Sequence, residues 1–356
     1  MPAEPSSLKV HFLDVGQGDC TFVVPPEGEG DPILFDCADL YTAERFVANH
    51  GIENLQAVVA SHLDIDHVRG MLPFLKHHFA TGRRVERLVL GLDRVPQKGQ
   101  DKNLQALVDA ALNWEKEPPH EGFSLEPPFR TKTPLVLAER PGWSVELVLP
   151  WYGTVTGEFA AGGQDPNHCS AVLRVQRGET AILVGGDAPL GSWERLEAHL
   201  RYAGAIRIPH HGGEIREQGE EWTEFEHLYD AVGAEVAAVS VGTNNGDGHP
   251  LEQHAAAARR QGTCRLLCTQ LTPRCHADPV ELREISLEHA AIVEWPYRHR
   301  AESGHPARRP PSEVPCAGSM VAWLRPDGEL EIEPRQSGAH SQFLLRVARP
   351  MCGDAP

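Results

Sequence analysis

The segment Ser61-His62-Leu63-Asp64-Ile65-Asp66-His67 constrains this chain more than any other. It places two imidazoles and two carboxylates directly after the apolar, strand-like Leu55-Gln56-Ala57-Val58-Val59-Ala60. Side chains on a tight loop leaving a strand can converge on a point, and nitrogen and oxygen donors that converge hold a divalent metal. His62 and Asp64 alternate, whereas Asp66 and His67 are adjacent, a pattern that suits two metals sharing one loop. A solvated loop rich in Asp and His is the plain alternative, and later segments weigh against it.

Those segments supply further donors at the ends of apolar runs. Asp187 closes Leu183-Val184-Gly185-Gly186-Asp187, where a carboxylate can bridge two cations and glycines let the backbone approach closely. His210-His211-Gly212-Gly213 follows Ala205-Ile206-Arg207-Ile208-Pro209. His168 precedes the strand pattern Ala171 to Val175, and His249 lies in Gly248-His249-Pro250. Taken singly, each is more often a turn or a surface residue. Their joint appearance after a His/Asp cluster shifts the balance to a metal site.

Strand patterns at Val10 to Leu13, Thr21 to Val24, Ile33 to Phe35, Val145 to Leu149, Ala181 to Val184 and Val236 to Ser240 alternate with helical ones. Helices are expected near Thr42 to Asn49, Met71 to Phe79, Leu104 to Trp114, Trp193 to Tyr202 and His254 to Arg260. At 356 residues the chain exceeds the usual single-domain size. The expectation is a hydrolytic domain over 1–262 and an extension over 263–356 packed on the same fold.

Composition narrows the function classes. A hydrophobic fraction of 41% excludes wholesale disorder. No run approaches the roughly 18 apolar residues of a membrane span, so no membrane partner is expected. The start, Met1-Pro2-Ala3-Glu4-Pro5-Ser6-Ser7, shows no basic-then-apolar leader, which makes the expected location cytoplasmic. A formal charge of −17 argues against a broad basic face for duplex nucleic acid. Arg83-Arg84 and Arg259-Arg260 are the local basic pairs past which a single strand could thread, although such pairs are mostly solvated surface.

The quoted motifs, taken together, resemble the metallo-β-lactamase-fold hydrolases of the ComEC-like branch. Phe12-Leu13-Asp14-Val15-Gly16-Gln17-Gly18-Asp19, Phe35-Asp36-Cys37, the His62 to His67 run, Asn167-x-x-Ser170, Gly186-Asp187-Ala188, Pro209-His210-His211-Gly212 and Gly248-His249-Pro250 occur in family order. The resemblance spans roughly residues 8 to 262. It implies a four-layer αββα sandwich, an α/β fold, with two divalent ions, Zn or Mn, at one edge of the sheets. It further implies that His62 and Asp64 bind one metal, that Asp66 and His67 bind the other, and that Asp187 bridges them. His211, or His210, would complete the second site, and His168 would add a ligand to the first. Asp36 would orient the metal loop, and His249 would be a substrate or proton-transfer group.

Three departures stand out. Asp64 occupies a position where many relatives carry His, a harder donor that favours Mn²⁺ more. Arg69 replaces the first of two glycines that often follow the motif. Gly213 replaces the Ser usual after His-His-Gly.

The reaction implied is hydrolysis by a metal-activated hydroxide, with phosphodiesters as the leading substrate class and DNA or another nucleic acid as the leading polymer. A small-molecule ester, lactone or cyclic-nucleotide hydrolase on the same fold is the first alternative. A conditionally active module of a defence or signalling complex, with a protein partner, is the second. The eight cysteines fit metal binding or burial better than disulfides in a reducing compartment. Cys268, Cys275, His276 and Cys316 are a candidate structural zinc set, with buried free thiols as the even alternative. Cys20, Cys37 and Cys169 read as packing residues, and Cys352 lies near an end expected to fray.

Overall fold

The computed structural model describes residues 6–91, 102–128, 133–149, 166–196, 200, 203–217, 221–259, 264–290, 312–334 and 338–353. Strands β1 (Leu8–Phe12), β2 (Cys20–Val24) and β3 (Ile33–Cys37) form an antiparallel meander. β4 (Asn54–Val59), β5 (Arg84–Val89) and β6 (Ser124–Glu126) extend it in parallel. A second sheet repeats the plan. β7 (Leu135–Arg140), β8 (Trp143–Leu149), β9 (Val172–Arg177) and β10 (Thr180–Val184) are antiparallel. β11 (Ala203–Arg207), β12 (Val236–Val239) and β13 (Arg265–Cys268) then follow in parallel.

The chain past residue 262 contributes to both sheets. It supplies β13 to the second, then β14 (Met320–Leu324) and β15 (Leu330–Glu333), which pair antiparallel beyond β1 in the first. The orders are β15-β14-β1-β2-β3-β4-β5-β6 and β13-β12-β11-β10-β9-β8-β7.

Side-chain periodicity explains how these sheets stack. β1 buries Leu8, Val10 and Phe12 on one face, the period-2 alternation of a strand covered by a second sheet. These residues join Val59, Val145, Ile182 and Leu267 in the layer between the sheets. β12, Val-Ala-Ala-Val, is buried along its whole length because parallel strands are covered on both faces. Helices Leu40–Asn49, Met71–Ala80 and Lys102–Lys116 cover the first sheet through Phe46, Phe74 and Leu107. Helices Phe225–Val232 and Glu252–Arg259 cover the second through Leu228, Tyr229 and Ala258. The layers are therefore αββα, the architecture expected from the motifs.

The helix expected at Trp193 to Tyr202 is the short Leu190–Glu194, and residues 197–199 and 201–202 lie outside those described. No helix among the described residues is long and apolar enough to cross a membrane.

One charged pair stands out in the interior. The guanidinium of Arg207, at the end of β11, donates to the Asp19 carboxylate and the Thr21 hydroxyl beside β2. Both charged residues are buried, and the guanidinium lies 5.9 Å from the Phe12 ring centroid. Burial alone would raise the Asp19 carboxyl, but Arg207 and His211 outweigh it and hold it below its ordinary value. The pair thus ties the second sheet to the first next to the edge where the candidate ligands gather. Removing one partner of a buried pair strands the other charge, at about 3–5 kcal/mol. Arg207→Met should lose about that much stability in urea unfolding, and a loss under about 1 kcal/mol would show that the pair is not a structural tie.

Candidate metal centre

The site forms where strands of both sheets end, the side of a parallel sheet at which loops can converge on a ligand. After β4, the Ser61 amide donates to Asp36 Oδ1 at 2.7 Å, and Asp36 Oδ2 lies 2.8 Å from His67 Nδ1. Asp36 is fully buried, with φ 59°. A non-glycine residue held in that left-handed region costs about 1–3 kcal/mol and persists only where its surroundings impose it. The single turn Ile65–Val68 then carries Asp66 and His67. Asp19 donates its amide to the Asp66 carbonyl at 3.0 Å. A Cβ on Gly18 would meet that same carbonyl at 2.3 Å, so close approach requires glycine there.

The second sheet supplies the facing ligands. Beyond β10, Gly186 turns the chain at φ 50°, where a Cβ would lie 2.4 Å from Ser170 Oγ. That hydroxyl accepts the Asp187 amide at 2.8 Å. Beyond β11, His210 and His211 both adopt φ 53° in a tight turn.

Each of the converging histidines has its Nδ1 engaged and its Nε2 turned inward. His67 Nδ1 meets Asp36, and His62 Nδ1 lies 3.0 Å from Ser61 Oγ. His210 Nδ1 faces the Glu214 carbonyl and His211 Nδ1 the Ser240 carbonyl, both at 2.9 Å. Their Nε2 atoms surround carboxylates. Asp187 Oδ1 is 3.1 Å from His67, Asp187 Oδ2 is 3.6 Å from His62 and 3.8 Å from His210, and Asp66 Oδ2 is 3.2 Å from His211. Asp64 Oδ2, on the half-exposed side, lies 3.7 Å from His62 Nε2. Two donor groups result, His62/His67/Asp187 and Asp66/His67/His211, each with ligand atoms within 4.8 Å of one another.

These residues fit divalent ions by a test independent of motif. His62 Nε2, His67 Nε2, His211 Nε2 and Asp187 Oδ1 are buried and lack a hydrogen-bond partner among the described residues. An unsatisfied buried polar atom costs about 1–3 kcal/mol, and a cation among these atoms offsets all of them at once. Electrostatics agree. Burial would lower His67 and His211, yet Asp187 with Asp36 holds His67 well above its ordinary value. Asp19 and Asp66 hold His211 up at about 10. Burial would raise Asp66 and Asp187, and the surrounding imidazoles pull both down instead. The carboxylates create a field strong enough to favour positive charge in a buried place.

Several expected residues fall differently. His67 lies within reach of both donor groups, and its one inward Nε2 can serve a single ion. His168 lies in the Pro166–Cys169 turn with Nε2 2.5 Å from Glu217 Oε1, outside both groups. His249 stands beside the cluster, its ring centroid 5.4 Å from that of His210 and 6.4 Å from that of His211. A Cβ at Gly213 would lie 2.6 Å from the His249 ring, which accounts for glycine where serine is usual. Burial, then His211 and His210, pushes His249 down to about 4, and its Nδ1 is buried without a hydrogen-bond partner among the described residues. Arg69 donates to the Ala38 carbonyl at 3.2 Å.

Arg84 pairs with Asn54 at the start of β4, and Arg259 ends a helix running back from the site. Both basic positions are therefore at the far end of the sheets, and Arg260 lies outside the described residues.

Of the candidate zinc residues, Cys268, Cys275 and Cys316 are buried together, whereas His276 is engaged elsewhere. Its Nε2 lies 2.5 Å from Glu281 Oε1, and its Nδ1 accepts the Ala348 amide at 3.2 Å. Cys352 does not fray: it is buried, and the next residue, Gly353, bridges to Leu266. Motif reading gave no role to Ser61, Ser240 or Asp19. Only Asp19 carried a signal, as the last residue of the Gly16-Gln17-Gly18-Asp19 turn.

The Metallo-beta-lactamase superfamily profile matches residues 13–213. ComE operon protein 3 of Bacillus subtilis is 25% identical over 269 residues, which cover 70% of this chain and 30% of that protein. This chain thus spans under a third of that relative's length. Among solved structures, the metallo-beta-lactamase fold protein YhfI from Bacillus subtilis is similar at 12% identity and TM-score 0.45, covering 74% of this chain and 96% of that one. Human tRNase Z, short form, is similar at 12% identity and TM-score 0.40, covering 66% and 93%.

Groups that orient metal-binding histidines contribute about 10- to 100-fold in metal affinity or activity. Asp36→Asn should weaken metal binding by that factor in competition titrations while the protein stays folded by circular dichroism. Unchanged affinity would remove Asp36 from the assembly of the centre.

Proposed function

Because this chain belongs to the metallo-β-lactamase superfamily, we propose that its centre hydrolyses phosphodiesters, with DNA or another nucleic acid as the substrate class. The observation that carries the reading is the pair of donor groups that meet at His67, with Asp187 among the His62, His67 and His210 rings. Three carboxylates, those of Asp64, Asp66 and Asp187, contribute hard oxygen donors, which suit the ions used in phosphoryl chemistry. The ComEC-like motif order supports the same reaction class.

Two divalent cations held here would supply Lewis-acid stabilisation of phosphoryl oxygens and a water of lowered pKa. His62, Asp64 and Asp187 would hold one, and Asp66, His67 and His211 the other. Asp66 is held below its ordinary value, so it stays a carboxylate donor at neutral pH. The Ser240 carbonyl and Asp36 keep the Nδ1 protons in place and the Nε2 lone pairs facing inward. His249, neutral at pH 7, offers its ring to an oxygen of the phosphodiester or of the leaving group. With a net charge of −17 and with Arg84 and Arg259 at the far end of the sheets, the protein would attract an anionic strand through the centre itself. That favours a single strand or a chain end over a duplex laid along a basic face.

Metal-stripped protein resupplied with Mn²⁺, Zn²⁺ or Mg²⁺ should cleave labelled single-stranded DNA and a generic phosphodiester. Asp187→Ala removes a donor to the metals themselves and should lower turnover by more than about 100-fold, beyond the effect of an orienting group. Turnover of a lactone alone by the same samples would transfer the protein to the small-molecule branch. His249→Ala should retain its metal and lose about 10- to 100-fold in kcat/KM, the worth of one hydrogen bond to a charged group. An unchanged kcat/KM would remove His249 from substrate contact.

A further inference from the structure

We propose that Cys268, Cys316, His340 and Cys352 form a second, structural metal site, a Cys3His zinc centre that fastens the C-terminal segment to the edge of the second sheet. The four residues come from separate places: the end of β13, the segment before β14, the helix Ala339–Leu344 and the last described stretch of chain. All are buried. The ligand atoms of Cys316, His340 and Cys352 lie within 4.8 Å of one another. Cys268 adjoins them, its amide donating to Cys352 Sγ at 3.0 Å.

Distances separate a metal site from a disulfide. Zinc binds sulfur at about 2.3 Å and imidazole nitrogen at about 2.0–2.1 Å in a tetrahedron, whose edges are then about 3.8 Å between sulfurs and about 3.5 Å from sulfur to nitrogen. Cys316 Sγ is 3.6 Å from Cys352 Sγ and 3.5 Å from His340 Nε2. A disulfide needs about 2.05 Å, and every cysteine among the described residues is free.

Plain hydrophobic burial explains the thiols one at a time, because a free cysteine packs like a small apolar residue. It does not explain the imidazole. His340 is 1% exposed, faces the Cys316 thiol through Nε2, and has no hydrogen-bond partner for Nδ1 among the described residues. Burying an imidazole on those terms is unfavourable, and coordination offsets it.

Cys275 adjoins the cluster, but its sulfur accepts from Thr272 Oγ1 at 3.8 Å. It packs against the site, and Cys268 is the fourth ligand. This ligand set keeps Cys268 and Cys316 from the sequence-based candidates and exchanges Cys275 and His276 for His340 and Cys352.

The staple reaches toward the hydrolytic centre through backbone. Residues 316–318 donate to the carbonyls of Cys268 and Thr269 at 2.8–3.0 Å. Thr269 Oγ1 donates to the Val241 carbonyl and accepts the Val241 amide, both at 2.9 Å. Val241 follows Ser240, whose carbonyl holds His211. Zinc bound at the staple would therefore hold the end of β12 beneath a ligand of the first centre.

The test uses the full chain reconstituted with cobalt(II), whose bonds to thiolate give a charge-transfer absorption that nitrogen and oxygen donors lack. The band is expected in the wild type, retained in Asp187→Ala and Cys275→Ser, and lost in Cys352→Ser. X-ray absorption of the wild-type zinc protein, which needs no variant to fold, should show a sulfur shell at about 2.3 Å. Absence of that shell, a cobalt band that survives Cys352→Ser, or recovery of a Cys316–Cys352 disulfide by mass spectrometry would overturn the proposal. Loss of the band in Asp187→Ala alone would overturn it too, by assigning the metal to the hydrolytic centre.

Discussion

The carboxylate of Asp187 is where the two halves of this protein meet. It leaves the second sheet after β10 and is enclosed by His62 and His67, which leave the first sheet after β4. No local interaction can put these residues in contact, since more than a hundred positions separate them in sequence. The contact exists because the intersheet layer of Val10, Phe12, Val59, Val145 and Ile182 fixes the stacking of the sheets. The buried Arg207–Asp19 pair locks that stacking close to the ligands. A small slide of one sheet over the other would leave carboxylate and imidazoles buried without each other.

The inner ring of donors depends on an outer ring drawn equally from side chains and backbone. Asp36, Ser61 Oγ and the Glu214 and Ser240 carbonyls each take the Nδ1 side of a histidine, so rotation of the rings is restrained before any ion arrives. Preorganisation of this kind removes the cost of ordering ligands at binding. It explains the strained backbone at Asp36, His210 and His211. At these positions the chain gives up backbone comfort to aim a side chain.

Much of the centre was legible in the sequence because its residues fall in short runs at strand ends. The fold brings His62, Asp64, Asp66, His67, Asp187, His210 and His211 close together, with Asp64 and His210 outside the two donor groups. His168 shows the limit of such reading. Two residues before the motif serine Ser170, it pairs with Glu217, a residue that carries no motif. The thiol cluster shows the same limit. Proximity in sequence favours His276, which pairs with Glu281, whereas His340 and Cys352 reach Cys316 only when the final helix folds back on β13.

The sequence alone pointed to the αββα class, through the ordered motifs by which it resembles the metallo-β-lactamase-fold hydrolases, and to the chemistry of the metal loop, through residue types held within one turn. Such motifs are short runs of neighbouring residues, readable without knowing how distant segments pack. Only the tertiary structure decided that His67 lies within reach of both donor groups, that His249 fills the space left at Gly213, and that the chain's end joins Cys268. Each of those depends on how distant segments pack across the sheets. Packing distance is a property of the folded core, and no local pattern records it.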